Sequence, residues 1–329
     1  MAPFPRLPFT LDIRGAAEAI APLVRRTPVL EDPGLGRPGG PSVFLKLENL
    51  QLTGSFKARG AANRILALTP EERERGVVAC SSGNHGRAVA YMAGRLGIPA
   101  VICVPSWVDP VKREGMERSG ARVILAGSSY DEAEVQAEEL SRSEGFVFVQ
   151  PFDDPWVAAG QGTIGLELLE QVPELGTVLV PLSGGGLAGG VAYALKEVRP
   201  DVRVVAVSAT RARVMYESIR AGEPVSLPEE ETWAEALSGG IGLANRYTFP
   251  LIQGLVDQHV LVGEDEIRRA MLYALGSLNL LVEGGGAVAL AAILSGEWKA
   301  RRGEEAGAVA VVVSGGNVSL ERIKALQAS

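Results

Sequence analysis

TVLVPLSGGGLAGGVAYALKEV, residues 177–198, is the stretch that decides the fold. Its opening, residues 177–182, is a near-continuous apolar run, as a strand covered on both faces of a parallel sheet requires. Residues 186–198 follow with helical spacing. Between them stands Ser183-Gly184-Gly185-Gly186-Leu187-Ala188-Gly189-Gly190. A structural turn rarely needs three consecutive glycines. Bare glycines let successive backbone N–H groups approach an anion closely, and the dipole of the following helix adds to the attraction. The segment therefore reads as a phosphate cradle at the carboxyl end of a strand, the edge at which open α/β sheets bind ligands.

The same alternation extends outward in both directions. Residues 43–47, 76–80, 100–104, 122–125, 203–207 and 308–313 are short apolar runs, expected as buried strands. Residues 56–68, 85–96, 110–119 and 131–144 are expected as helices, the last opened by Asp131 with Glu134 three residues on. Residues 222–242, rich in Gly, Pro and Glu, are expected as a long ordered loop. The fold class is α/β on parallel sheets, and 329 residues exceed what one core usually holds.

Composition excludes several classes. A net charge of −7 without a basic run argues against nucleic acid. No apolar stretch reaches the ~20 residues that span a bilayer, and the N-terminus lacks a signal-peptide pattern, so a cytoplasmic protein is expected. Cys80 and Cys103 are the only cysteines and stand far apart in sequence, so neither a redox nor a metal pair is expected. With His85 and His259 the only histidines, a multi-histidine zinc centre is not expected.

Three further segments carry candidate chemistry. In Thr53-Gly54-Ser55-Phe56-Lys57-Ala58-Arg59-Gly60, Ser55 is expected to cap a helix whose first turn holds Lys57. An ammonium there opposes the helix dipole, a cost that vanishes if the amine is neutral, as an imine-forming lysine must be. Alone, a solvated surface lysine is the commoner reading. Ser81-Ser82-Gly83-Asn84-His85-Gly86 offers N–H groups suited to a carboxylate, or equally a capped glycine turn. Ser314-Gly315-Gly316-Asn317 would place Ser314 as an uncharged partner in a crevice, or simply end a strand. Gly184, Gly186 and Gly189 also satisfy the dinucleotide pattern G-x-G-x-x-G. The acidic ribose partner is missing, however: Ser208 stands there with Arg211 behind it, which disfavours NAD and leaves NADP as the lesser alternative.

Together the four segments resemble the fold-type II pyridoxal phosphate enzymes over nearly the whole chain, and within them the serine/threonine dehydratase and serine racemase group. GSFKARG looks like that group's Schiff-base motif, and SSGNH carries His85 where related synthases usually carry Thr. The resemblance implies two open twisted parallel-sheet domains with pyridoxal 5′-phosphate in the cleft between them. Residues 73–149 would be a small domain inserted into a large one formed by 1–72 and 150–329. It implies Lys57 as Schiff-base lysine and α-proton base, with Phe56 beside the ring. Gly184, Gly185, Gly186 and Leu187 would hold the phosphate, Asn84 the ring hydroxyl and Ser314 the ring nitrogen. Gly242 and Glu283 would line the ring. Ser81, Ser82, Gly83, Asn84 and His85 would bind the substrate carboxylate, with Ser82 as acid/base on the face opposite the lysine.

The reaction so implied is β-elimination of water from a hydroxy amino acid of the threonine/serine type, giving a 2-oxo acid and ammonia, in a homodimer. Ser208 and Val214 replace the carboxylates expected of metal-stimulated members, so no metal site is expected. Residues 208–216 and 237–249 look like the hydroxyectoine-utilisation dehydratases, making a hydroxyectoine-derived amino acid the alternative substrate. Racemisation, an NADP-dependent oxidoreductase and a non-catalytic binding protein are the other readings. The chain stops soon after Asn317, so an appended regulatory domain and feedback by isoleucine are not expected.

Overall fold

The computed structural model describes residues 7–36, 40–172, 174–299 and 307–328. Ten strands run in chain order: β1 (Val29–Glu31), β2 (Val43–Leu47), β3 (Val77–Cys80), β4 (Ala100–Val104), β5 (Arg122–Leu125), β6 (Val147–Phe148), β7 (Leu175–Pro181), β8 (Arg203–Ala209), β9 (Gln258–Val262) and β10 (Ala308–Val313). They form a six-stranded sheet of order β1-β2-β10-β7-β8-β9 and a four-stranded sheet of order β5-β4-β3-β6. All pairs are parallel except β1 on β2.

The apolar runs are explained by two-sided burial. Val178 and Val180 of β7, Val204 and Ala206 of β8, and Ala310 and Val312 of β10 face one core. Their neighbours Leu179, Val205, Val207, Val309 and Val311 face the other. Each fully buried Val or Leu is worth about 1.5–3 kcal/mol, so neither face tolerates a polar residue cheaply. The smaller sheet repeats the arrangement, and the helix Lys57–Leu66 contributes Ala58, Ala61, Ala62 and Ile65 to its core.

Three local expectations need correction. The helix Tyr130–Glu144 is capped by Ser129, whose side chain accepts from the Glu132 N–H, and not by Asp131. The Tyr130 hydroxyl donates to Cys80 O at 3.1 Å, which pins the helix start. Ser55 caps nothing: it is extended, bridges Gly315 antiparallel and, among the described residues, leaves its Oγ without a partner, while Phe56 occupies the N-cap position. Cys80 and Cys103, distant in sequence, are register partners on β3 and β4. Both thiols are buried, and burial pushes them up to about 12 and about 11, so they are held as protonated, inert groups.

Candidate active site

All four segments follow the carboxyl ends of parallel strands, β2, β3, β7 and β10, and backbone pairing joins two of them, those after β2 and β10. The Phe56 N–H donates to Ser314 O at 3.1 Å, the Gly316 N–H to Gly54 O at 2.9 Å, and the Glu283 N–H to Gly315 O at 3.1 Å. The lysine segment, the strand-ending turn after β10 and the start of the helix Gly284–Ser295 are thus one rigid piece.

Lys57 lies half-buried in the first turn of its helix, as expected. Its Nζ donates to Pro151 O at 2.6 Å and sits 5.3 Å from the Phe56 ring centroid. With no carboxylate bonded to it, burial holds the ammonium down to about 8 from its ordinary 10.5. The next residue, Phe152, packs directly on the glycine loop: a Cβ on Gly184 would fall 2.3 Å from its ring. Pro151 and Phe152 therefore place the amine beside the cradle. Nothing in their residue types had marked them.

Gly185 adopts φ +88°, which favours glycine, and is the N-cap of the helix Gly186–Val198. Among the described residues the N–H groups of Gly184, Gly185, Gly186 and Leu187 find no protein acceptor, so four donors converge at a helix N-terminus. The loop after β3 is built alike. Its helix Asn84–Arg95 has no side-chain cap, and the N–H groups of Ser82, Asn84 and His85 have no described acceptor. The Gly83 N–H is taken by Ser81 Oγ at 3.2 Å and does not join them. The His85 ring points away into the core, where Nε2 meets Val149 O at 2.8 Å. Burial and the neighbouring Lys57 charge push that imidazole down to about 3, so it is neutral and only its backbone faces the site.

Asn84 reaches across to the larger sheet, its Nδ2 donating to Glu283 Oε1 at 2.6 Å. Burial raises the Glu283 carboxyl to about 7, the Asn84 bond working against it. Ser314 is buried, with only a long 3.5 Å contact from Oγ to Gly285 O. Gly242 stands on an exposed loop at φ +75°, with open space where a Cβ would be, and no described contact joins it to the others.

A desolvated lysine beside a backbone anion cradle suits an enzyme that anchors a phosphorylated aldehyde, and comparison with known proteins identifies the class. Residues 20–315 match the family described as pyridoxal-phosphate dependent enzyme. The chain is 46% identical over 308 residues (94% of this chain, 92% of the other) to a Sinorhizobium fredii protein provisionally named a threonine dehydratase. It is 40% identical over 313 residues (95% and 90%) to the catabolic L-threonine dehydratase TdcB of Staphylococcus aureus. Its structure resembles maize serine racemase with a TM-score of 0.90 at 38% identity, covering 96% of this chain and 95% of that one. The chain belongs to the pyridoxal-phosphate dependent enzyme family, and pyridoxal phosphate is its cofactor.

The residues present fit that group. The cradle supplies backbone donors for a phosphate. Thr53 Oγ1 and Ser55 Oγ are buried beside the lysine segment with no partner among the described residues. The nucleotide alternative loses part of its support: Ser208 is buried with its Oγ donating to Leu182 O at 2.9 Å and does not read a ribose. Among the described residues no group of three or more His, Cys, Asp or Glu is placed to hold a metal ion, and no helix is long and apolar enough to cross a membrane.

Proposed function

We propose that the protein is a dehydratase acting as an ammonia-lyase, which eliminates water from threonine or serine and releases a 2-oxo acid and ammonia. The observation that carries this reading is the Lys57 amine, bonded only to a backbone carbonyl and held down to about 8 by burial. When bound, the cofactor supplies an electron sink that makes the α-C–H of an amino acid acidic. Lys57, as a neutral amine, takes that proton. The N–H groups of Ser82, Asn84 and His85 bind the substrate carboxylate at their helix N-terminus. Ser314 offers the ring nitrogen a hydroxyl, not a carboxylate, so the sink is weak. A weak sink favours prompt loss of a β-hydroxyl over lasting negative charge at Cα. The substrates named for the dehydratase relatives support the same reaction here.

Racemisation is the second reading, favoured by Ser82, whose half-buried hydroxyl lies in the loop after β3, and by the likeness to maize serine racemase. One assay separates the two. Protein loaded with pyridoxal phosphate is given L-threonine, L-serine or a hydroxyectoine-derived amino acid, and 2-oxo acid, ammonia and D-amino acid are measured. A 2-oxo acid with ammonia is expected, and Lys57→Ala should lower its rate by at least about 10³-fold. D-amino acid without 2-oxo acid would give the site to racemisation. Loaded protein inert to all three would overturn the proposal.

The same reading takes residues 73–149 as a small domain inserted between 1–72 and 150–329. In support, every strand of the smaller sheet lies between Val77 and Phe148. We further propose a cytoplasmic homodimer, which sedimentation of the loaded protein would test.

A further inference from the structure

Arg87, Asn317, Asn84 and Glu283 form one hydrogen-bonded line across the site. Arg87 Nη1 donates to Asn317 Oδ1 at 2.9 Å. Asn317 Nδ2 donates to Asn84 Oδ1 at 2.6 Å and to Thr53 O at 2.8 Å. Asn84 Nδ2 donates to Glu283 Oε1 at 2.6 Å. A side-chain amide can turn over, exchanging donor for acceptor at little steric cost, so only its partners fix its sense.

Here the partners leave no choice. A guanidinium only donates, so Asn317 must show Arg87 its oxygen. A backbone carbonyl only accepts, so Asn317 must show Thr53 its nitrogen. That nitrogen also faces Asn84, which must answer with oxygen and turn its own nitrogen toward Glu283. The same Asn317 amide holds the carbonyl of Thr53, a non-glycine residue at φ +65°, in the segment that carries Lys57.

We propose that Arg87 and Asn317 are positioning residues that fix the sense of the Asn84 amide, so that Asn84 offers the active site an N–H and never a carbonyl. This deepens the reading above and rests on it for what Asn84 meets there. Toward a pyridoxal phosphate ring, an N–H favours the ionised ring hydroxyl, whereas a carbonyl would require the protonated one.

Neutron diffraction from cofactor-free crystals distinguishes the amide nitrogen Nδ2 from oxygen at Asn84 directly. Nitrogen toward Glu283 is expected, and oxygen there would overturn the proposal. Infrared titration of the Glu283 carboxyl, assigned with Glu283→Gln, then tests which residues hold the sense. Burial raises that carboxyl most, the Asn84 bond and the Lys112 and Arg87 charges lower it, and the Glu235 charge raises it a little further. Asn317→Leu changes no charge, yet frees Asn84 to turn over once Glu283 is protonated, and should raise the midpoint by about half a pH unit or more. Arg87→Lys keeps a donor-only cation and should leave the midpoint in place. An unmoved midpoint in Asn317→Leu, or an equal rise in Arg87→Lys, would overturn the assignment. Neither readout uses the cofactor. A wild type that fails to take up pyridoxal phosphate would sink the functional reading and leave these outcomes as they stand. In loaded protein, Asn317→Leu should also move the pH midpoint of the cofactor's visible band upward.

Discussion

Two lysines lie inside this protein in opposite company. Lys46, on β2, is fully buried, yet its Nζ donates to Glu167, to Gln171 Oε1 at 2.7 Å and to Thr27 O at 2.8 Å. Arg59 lies in the same cluster, held by Glu48 at 2.8 Å and by Glu167 at 2.6 Å. Burial opposes the Arg59 charge, but the two carboxylates together hold its pKa above the ordinary value. Two cations and two carboxylates thus close a neutral quartet, with every charge answered. Lys57 has one backbone carbonyl and, among the described residues, no counter-ion bonded to it. Burial pushes both lysines down, but Glu167 and Glu48 push back on Lys46 alone. A buried cation answered by carboxylates is structural; one left unanswered is ready to give up its proton. Arg59 belongs to the first turn of the helix that presents Lys57, so the quartet fixes the base without touching the chemistry.

If that contrast is right, the two regions should respond oppositely to losing their cations. The largest stability effect is expected for Arg59→Leu, which strands Glu48 and leaves Glu167 with Lys46 alone. Breaking a buried pair from one side costs about 3–5 kcal/mol. Denaturant unfolding of the cofactor-free protein measures it, and a loss under about 1 kcal/mol would erase the distinction. A matched pair of variants sharpens it. Lys46→Met removes one of two cations from Glu167 and leaves Thr27 O and Gln171 short of a donor, at a cost of about 1–3 kcal/mol. Lys57→Met strips only a carbonyl contact and removes an unanswered charge, so the cofactor-free protein should lose no stability. Equal losses in the two variants would show that Lys57 is as well compensated as Lys46.

The same contrast marks what the sequence could tell. The glycine loop stood out because it sets three glycines where one would turn the chain, whereas Lys57 alone read as a surface lysine and gained its role only from the resemblance of the four segments taken together. The quartet was not legible, because Lys46, Glu48, Arg59 and Glu167 look like solvated charges until β2 and the helices Lys57–Leu66 and Pro155–Gln171 are brought together. The central strands were readable from two-sided burial. β1 and β6, of three and two residues, were too short to show a pattern. β9 breaks its apolar run with Gln258 and His259. The helix Pro155–Gln171 did carry a start signal, Asp154 capping with Pro155 behind it, and went unread. Ser129 and Asp131 are each followed three residues later by a glutamate, and sequence could not choose between them. Tyr130, bonding a strand that lies far off in sequence, made the choice. Asn317 was quoted with its turn but had no role until Arg87 and Asn84 met it.

The pH dependence is the effect most specific to Lys57. Its pKa falls from 10.5 to about 8 on folding, so between those values the unfolded chain binds a proton that the folded protein does not. Stability must then rise with pH across that window and stay level, as far as Lys57 is concerned, below it. Lys46 is displaced in the same direction, and other groups titrate nearby, so the wild-type curve alone does not isolate the effect. The difference between wild type and Lys57→Met does, because every other group is common to both. That difference should favour the variant most at and below pH about 8, then shrink toward pH 10.5 as the unanswered ammonium ceases to exist. A difference flat across the range would mean that folding leaves the Lys57 pKa unchanged. The amine would then hold its proton as tightly as any surface lysine, and the contrast with Lys46 would lose its chemical meaning.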